Sequence, residues 1–454
     1  MDGVFAVLIL LTIIYYMVRG FSKPYLGLFV LTAALELQPG ELYPVLGYFH
    51  IERVLVLALT VACFMQGKKL RFPPITKAFL AFYGAMLLGI PMAFWVGNSI
   101  GTCLQFFETV FCVLMAVTLL ETEEQIKKYL VLMLSLELWL GASAVYMYHM
   151  GVRQFAMGID RAEGLTSAGG DPNTLGITMV VSMPLAFLMM QKGNPKRLRI
   201  FGLIAVAISL VTIITTGSRT AFAAFLLLLS MIVFSKKQNL KFIPLVVLAL
   251  PLLWLVIPQQ YKLRYESVRD ADEDESYTNR LLSWQGGIKM FEHNPLTGVG
   301  PGNYTFANGS LYWPGNPRHW LNAHSLYFKL LGELGASGTI TFFAYVFMLF
   351  RLNIRLSKRF RDEGRDPFIA NFPRSCSFCI VLLLFTGYSA HNLYRSTWFM
   401  MGAISGAASL LAVRREAGEE KIMAKTELLP PWLPRRELTA ETVNDVVISA
   451  QPLA

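Results

Sequence analysis

His324-Ser-Leu-Tyr-Phe-Lys-Leu-Leu-Gly-Glu-Leu-Gly-Ala-Ser-Gly338 opens a long apolar run where a large polar segment ends. Read as a helix at about 100° per residue, it puts Gly335 about 20° and Gly338 about 40° around the axis from His324. The three then share one face, with the glycines about 16 to 21 Å further along. Small residues at that depth let a neighbouring helix approach closely. Gly335 and Gly338 are therefore expected to form a helix-packing motif beneath an imidazole held at the helix mouth. The alternative is a helix-terminal histidine above ordinary packing glycines, and this stretch alone does not decide between them.

The rest of the chain sets the class. Of 454 residues, 54 % are hydrophobic and only 15 % charged, and the apolar residues fall into about thirteen runs. Runs of about 15–25 residues read as membrane-spanning helices, and strands are excluded because two-residue alternation is missing. The expected fold is all-α, a polytopic integral membrane bundle of about 12–13 transmembrane helices. Spans are placed near 3–18, 24–37, 52–66, 75–95, 98–120, 127–149, 174–191, 199–216, 220–235, 241–257, 324–350, 376–394 and 396–413. The opening Met1-Asp-Gly-Val has no basic region, so the first run is expected to be a retained span.

A net charge of +10 could suggest nucleic acid, but the basic residues sit in short connections between spans. Lys68/Lys69/Arg71, Lys127/Lys128, Lys192 to Arg199, Lys236/Lys237/Lys241 and the 351–374 loop all fall in alternate connections. The positive-inside rule makes those cytoplasmic. The opposite side then receives 38–51, 150–173, the Gly217-Ser218-Arg219 turn, the segment 258–323 and the Asn392–Arg395 turn. Five cysteines make no disulfide framework, and Cys376-x-x-Cys379 has no second pair to complete a zinc site.

The chain is accordingly divided into N-terminal spans (1–150), central spans with arginine-bearing outer loops (151–257), one large outer loop (258–323), C-terminal spans (324–413) and a polar, disordered tail (414–454). Within the large loop, apolar residues at 281, 282, 284, 288 and 291 predict a short amphipathic helix over 280–292. The Gly/Pro cluster 295–302 predicts a turn system. Asp270-Ala-Asp272 has the spacing of a metal-binding pair, but the chain has no room for the nucleotide-binding domain such a pair needs. It is read as a solvated acidic face, and no metal or cofactor is expected.

Arg161, Arg219, Arg280, His324 and Arg395 all fall on the outer side. A boundary arginine can be a snorkelling anchor. Yet a chain that keeps its positive charge inside has little reason to place arginines outside unless they hold an anion, and guanidinium suits phosphate. His324 titrates near neutral pH, as a general base should. His391 is read as a helix-end histidine, and His319 as either a substrate contact or a loop residue. Glu108 and Glu137 lie mid-span, where carboxylates are costly; they mark either an ion path or a buried hydrogen-bonded contact. A transporter is the rival class, but it usually shows two related halves, and no repeat is visible.

His324-Ser325, nine residues and Gly335-Ala-Ser-Gly338 resemble the signature of the O-antigen ligase and polymerase family. Arg280-x-x-x-Trp284 and His293-Asn-Pro-Leu-Thr-Gly-Val-Gly-Pro-Gly-Asn303 are similar to its large-loop pattern, Gly217-Ser-Arg219 to its span-end arginine, and Arg161-x-x-Gly164 to Pro172-Asn173 to its earlier outer loop. The resemblance covers roughly 155–345. The opening also resembles ligase-like proteins that accompany exosortase systems. It implies a metal-independent, inverting glycosyltransferase of the bacterial inner membrane. The enzyme would take a glycan from an undecaprenyl-diphosphate donor at the periplasmic face to a glycan, lipid or protein acceptor. Such an enzyme could be a ligase, a polymerase or a protein O-oligosaccharyltransferase. By the same resemblance His324 is catalytic, and Arg219, Arg280 and Arg161 bind substrate. A thirteenth span would depart from the usual twelve.

Overall fold

The structure, a computed structural model, describes residues 2–156, 158–166, 170–235, 259, 262, 275–315, 318–390 and 392–427. The main helices are α1 (Asp2–Ser22), α2 (Pro24–Leu37), α3 (Ile51–Met65), α4 (Pro74–Leu88), α5 (Val96–Leu119), α6 (Glu123–His149), α7 (Pro172–Met189), α8 (Lys196–Thr216), α9 (Arg219–Phe234), α10 (Glu275–His293), α11 (Leu326–Asp362), α12 (Pro367–Gly387) and α13 (Ser396–Glu427). Eight described helices are long and apolar enough to cross a membrane, and α2, α4 and α9 are shorter apolar helices. The protein is an all-α polytopic membrane bundle. The expected span 241–257 lies outside the described residues, as do Asp270, Asp272 and His391. The last helix continues past 413 to Glu427.

Burial sorts the helices into centre and rim. In the apolar window of α7, 83 % of residues are buried, against 11 % in α1. The α7 sequence is apolar all round, as a central helix must be, and it packs against α8, α12, α9 and α6. A second core joins α4, α5, α11 and α13 through aromatic rings. Phe82 stacks on Phe399 at 5.8 Å, Phe342 meets Phe82 edge-on at 5.4 Å, and Phe106 meets Phe399 edge-on at 5.1 Å. Trp398, fully buried beside them, donates its indole N–H to the Asn392 carbonyl at 3.1 Å. That bond fixes the turn leading into α13.

The expectation for Gly335 and Gly338 needs correction. Gly335 has φ 58° and ψ −154°, so α11 is two helical pieces joined at a break. This conformation is essentially restricted to glycine. A Cβ on Gly335 would lie 2.6 Å from the Leu296 carbonyl carbon, so its neighbour is the 294–298 turn. At Gly338 a Cβ would collide with Leu334 of the same chain. Gly335 thus serves the break and its docked turn, and Gly338 leaves room for the Leu334 side chain. With the helix starting at Leu326 and interrupted at Gly335, the face that a continuous helix would share with His324 does not exist.

The break is completed by the Gly/Pro turns. The amides of Val299 and Gly300 donate to the carbonyls of Gly332 and Glu333 at 2.8 and 2.9 Å. In return, the amides of Ala336 and Ser337 donate to the Pro295 and Leu296 carbonyls at 2.8 and 3.0 Å. Backbone groups freed by an interrupted helix must find such partners when buried. The turn system at 295–302 was legible in the sequence; its seat inside a helix was not.

Candidate active site

The site is built around the junction of α10 and α11. The 280–292 periodicity appears as α10, a 19-residue helix that starts a little earlier. Two of its residues seat it. Trp284 donates its indole N–H to the Ala323 carbonyl at 2.8 Å and stacks on Phe328 at 4.8 Å. Ser283 donates to the Asn322 carbonyl at 3.2 Å and accepts from Asn308 at 3.2 Å. Gly286 and Gly287 keep the far side bare, because a Cβ there would strike Asn308 and the Tyr304 hydroxyl. Arg280 lies one turn before Trp284, so the helix seat carries its guanidinium toward the residue after Ala323.

That residue is His324, in the left-handed region at φ 44°. A non-glycine residue there costs on the order of 1–3 kcal/mol and persists only where neighbours impose it. Asn322 helps, since its Oδ1 accepts the Ala323 amide at 2.9 Å. The ring is largely shielded, and burial, then the nearby Arg280 charge, hold its pKa below the ordinary 6.5. Asp171 opposes this and Lys329 adds to it. Arg280, Asp171 and Lys329 therefore each lie within electrostatic reach of His324.

Asp171 belongs to the start of α7. As N-cap it accepts the Asn173 amide at 2.9 Å and the Thr174 hydroxyl at 2.7 Å. Asn173 in turn accepts from Arg161 at 2.8 Å, while Arg161 Nε donates to the Thr216 carbonyl at 2.7 Å. Arg161 ends a two-stranded hairpin, β1 (Gln154–Ala156) with β2 (Ile159–Arg161), that the sequence reading did not foresee. It is 3 % exposed. Its fork thus ties the α7 start to the end of α8, three residues from Arg219. The Gly217-Ser218 turn that presents Arg219 has Gly217 at φ 57° and Ser218 accepting the Ala221 amide.

Glu333 is the residue the sequence reading missed most plainly. At 1 % exposure it accepts the Tyr304 amide at 3.2 Å, the Gly302 amide at 3.1 Å and the Tyr394 hydroxyl at 2.6 Å. Lys329 Nζ is 3.6 Å away. The carboxylate joins the loop, the signature helix and the turn before α13. A signal existed, because Lys and Glu at i and i+4 inside an apolar run demand a buried explanation. The other predicted residues sit apart or elsewhere. His319 packs on Trp313 at 5.3 Å in the loop, and Arg395 donates to Thr178 at 2.6 Å. Glu108 and Glu137 line a cavity of about 740 Å³ together with Asp171, Asn322 and Lys329. Among the described residues no cluster of His, Cys, Asp or Glu could hold a metal ion.

Residues 177–343 match the family model described as O-antigen ligase. This segment is an O-antigen ligase family domain. It runs from the first turns of α7 to just past the break in α11, and so contains Arg219, Arg280, His324, Glu333, Gly335 and Gly338. Arg161 and Asp171 lie upstream of the ligase segment, yet the hairpin and the α7 cap fold them onto it. The protein is therefore a multi-pass membrane protein of the glycan-processing, O-antigen ligase or polymerase type. A search of curated proteins returned no match to the chain.

Proposed function

We propose that this O-antigen ligase family protein transfers a glycan from an undecaprenyl-diphosphate carrier to an acceptor hydroxyl, at the periplasmic face of the bacterial inner membrane. The observation that carries the reading is His324, held in left-handed backbone at the α10–α11 junction, with burial and then the Arg280 charge lowering its pKa. An imidazole nitrogen of His324 takes the acceptor proton as the acceptor oxygen bonds to the anomeric carbon. The bond from that carbon to the diphosphate oxygen breaks, and its electron pair leaves on the diphosphate. Arg280 and Arg219 stabilise the departing anion, in the role a metal would otherwise fill. Attack opposite the leaving group inverts the anomeric centre.

Arg161 acts one step back. With Nε and one terminal nitrogen engaged by protein acceptors, it holds the α7 cap and the Arg219 turn in register. The chemistry is common to ligation, polymerisation and protein O-glycosylation, and the acceptor distinguishes them.

The test is transfer from purified lipid-linked donor in detergent. His324→Ala is expected to abolish transfer with little change in thermal stability. Arg219→Lys and Arg280→Lys keep charge but lose the planar fork, and each should slow transfer about ten- to a hundredfold. Full activity in His324→Ala removes the general base, and wild-type rates in both lysine variants reduce the arginines to interfacial anchors.

A further inference from the structure

The proposed reaction leaves one nearby charge unused. Lys329 lies one turn into α11, five residues after His324, and is 8 % exposed. A lysine buried in an apolar helix is costly and needs a partner. Among the described residues its ion pair is with Glu333, whose Oε1 is 3.6 Å from the ammonium. That is longer than a hydrogen bond. Glu333 is matched without it, by the Tyr304 and Gly302 amides and the Tyr394 hydroxyl at 3.2, 3.1 and 2.6 Å. The ammonium also sits over the Tyr394 ring at 5.3 Å, which attracts the charge but leaves its three N–H donors without an acceptor.

Lys329 borders the chamber of about 740 Å³, a volume within the range of about 300–1,000 Å³ usual for small-molecule sites. Glu36, Glu108, Glu137 and Asp171 line the same chamber, with Arg395 as its second cation. The acidic groups have counter-charges of their own. Arg395 lies in the field of Glu137, Glu36 and Asp171, and Glu108 in that of Arg53. Asp171 is further occupied by the Asn173 amide and the Thr174 hydroxyl, and Arg395 by Thr178 and the Thr174 carbonyl. Lys329 is thus the lining cation whose donors meet no acceptor at hydrogen-bond distance among the described residues. It is also close enough to His324 for its charge to act on the imidazole. A buried cation in that condition is completed by an oxyanion.

We propose that Lys329 binds a phosphate oxygen of the substrate from the chamber side of His324, as a third cation beside Arg219 and Arg280. The contact rests on the glycan-transfer reading and adds to it a residue of the signature helix itself. The three cations are carried by three different helices, α9, α10 and α11. The phosphate belongs either to the carrier diphosphate or to a phosphorylated acceptor sugar, and its chemistry at the ammonium is the same.

The test is a lysine footprint on the full wild-type chain in detergent, so it needs no variant to fold. Reductive methylation with formaldehyde, followed by peptide mass spectrometry, should modify Lys329 through the chamber. A phosphate probe at about ten times its Kd should slow that modification about tenfold and leave Lys196, exposed at the start of α8, unaffected. The probes are sugarless undecaprenyl diphosphate, glucose 6-phosphate and, for the tail alone, undecaprenol. Protection by the first alone assigns the carrier diphosphate, by glucose 6-phosphate alone an acceptor phosphate, and by both a pocket that takes either. No protection, equal protection by undecaprenol, or a Lys329 that is never methylated overturns the contact. In equilibrium binding to folded protein, Lys329→Met should hold the protecting probe about tenfold more weakly. A mere counter-ion of Glu333 would instead give a lower thermal midpoint with wild-type affinity, and that result also overturns the contact. Transfer assayed on the same samples keeps the two claims apart: protection without any transfer sinks the reaction and leaves the contact, and transfer with an unprotected Lys329 does the reverse.

Discussion

The amide of Val299 donates to the carbonyl of Gly332 at 2.8 Å. Through this bond and its three neighbours, a loop outside the apolar spans supplies the backbone partners of a helix within them. The arrangement explains why the signature helix can be broken close to His324 without orphaned polar groups. It also means that the loop and the helix must fold as one unit.

Gly335→Ala therefore tests the break. The backbone conformation alone costs a non-glycine residue about 1–3 kcal/mol, and the new methyl meets the Leu296 carbonyl at 2.6 Å. A clear fall in thermal midpoint in detergent is expected. Gly84→Ala, which meets nothing within 4 Å, should be neutral or stabilise by up to about 1 kcal/mol. An unaffected Gly335→Ala would mean that α11 runs continuous.

Glu333→Gln tests the keystone. The amide would turn a donor toward groups that are all donors: two backbone amides, the Tyr394 hydroxyl and Lys329. Losing a hydrogen bond to a charged acceptor costs about 1.5–3 kcal/mol. The variant should lose that much stability and cleave faster between 295 and 310 under limited proteolysis. Unchanged protease resistance would make Glu333 a bystander.

Arg161→Lys separates holding from binding. Lysine cannot span both the Thr216 carbonyl and Asn173 as the planar fork does. The expected result is a stability loss of about 1.5–3 kcal/mol. Stability at the wild-type level with a raised donor KM would instead put Arg161 on the substrate.

The pH dependence follows from His324. Its folded pKa is lowered from 6.5 by burial, then by Arg280, with Lys329 in the same sense and Asp171 opposing. A base must be unprotonated, so the acid limb of kcat/KM should lie below pH 6.5 and activity should fall only as pH drops through that lower value. Removing one cation must shift it upward. In Arg280→Met, the rate of His324 carbethoxylation by diethyl pyrocarbonate, followed by peptide mass spectrometry, should show its midpoint at higher pH than in wild type. A midpoint that moves down or stays fixed would separate the two residues.

Much of this protein was legible because a membrane simplifies sequence. Apolar run lengths place helices directly, and twelve of the thirteen expected spans overlap described helices, although the expected 376–394 span is the helix Pro367–Gly387 and the expected 324–350 span runs on to Asp362. Residues whose types are anomalous for their surroundings, such as Arg219, Arg280 and His324, announced themselves for the same reason. The α10 periodicity gave its helix, and Trp284 gave no hint of its partner, because a stacking contact with Phe328 is set by two helices meeting.

The Gly-x-x-Gly spacing shows where local reading stops. Glycine at 335 and 338 is compatible with a packed straight helix and with a broken one, and the choice rests on the turn at 294–303, which lies well upstream of the break in the chain. Likewise the hairpin ending at Arg161 was hidden, since three-residue strands leave almost no period to detect.

By itself the sequence determined the class, the helices and the residue types on one side of the bundle, because hydrophobic length and charge placement are properties of the chain. Only the tertiary structure decided the break at Gly335, the Glu333 junction and the acidic chamber. Each of these depends on groups from distant helices satisfying one another's hydrogen bonds, and no local pattern encodes which donor meets which acceptor.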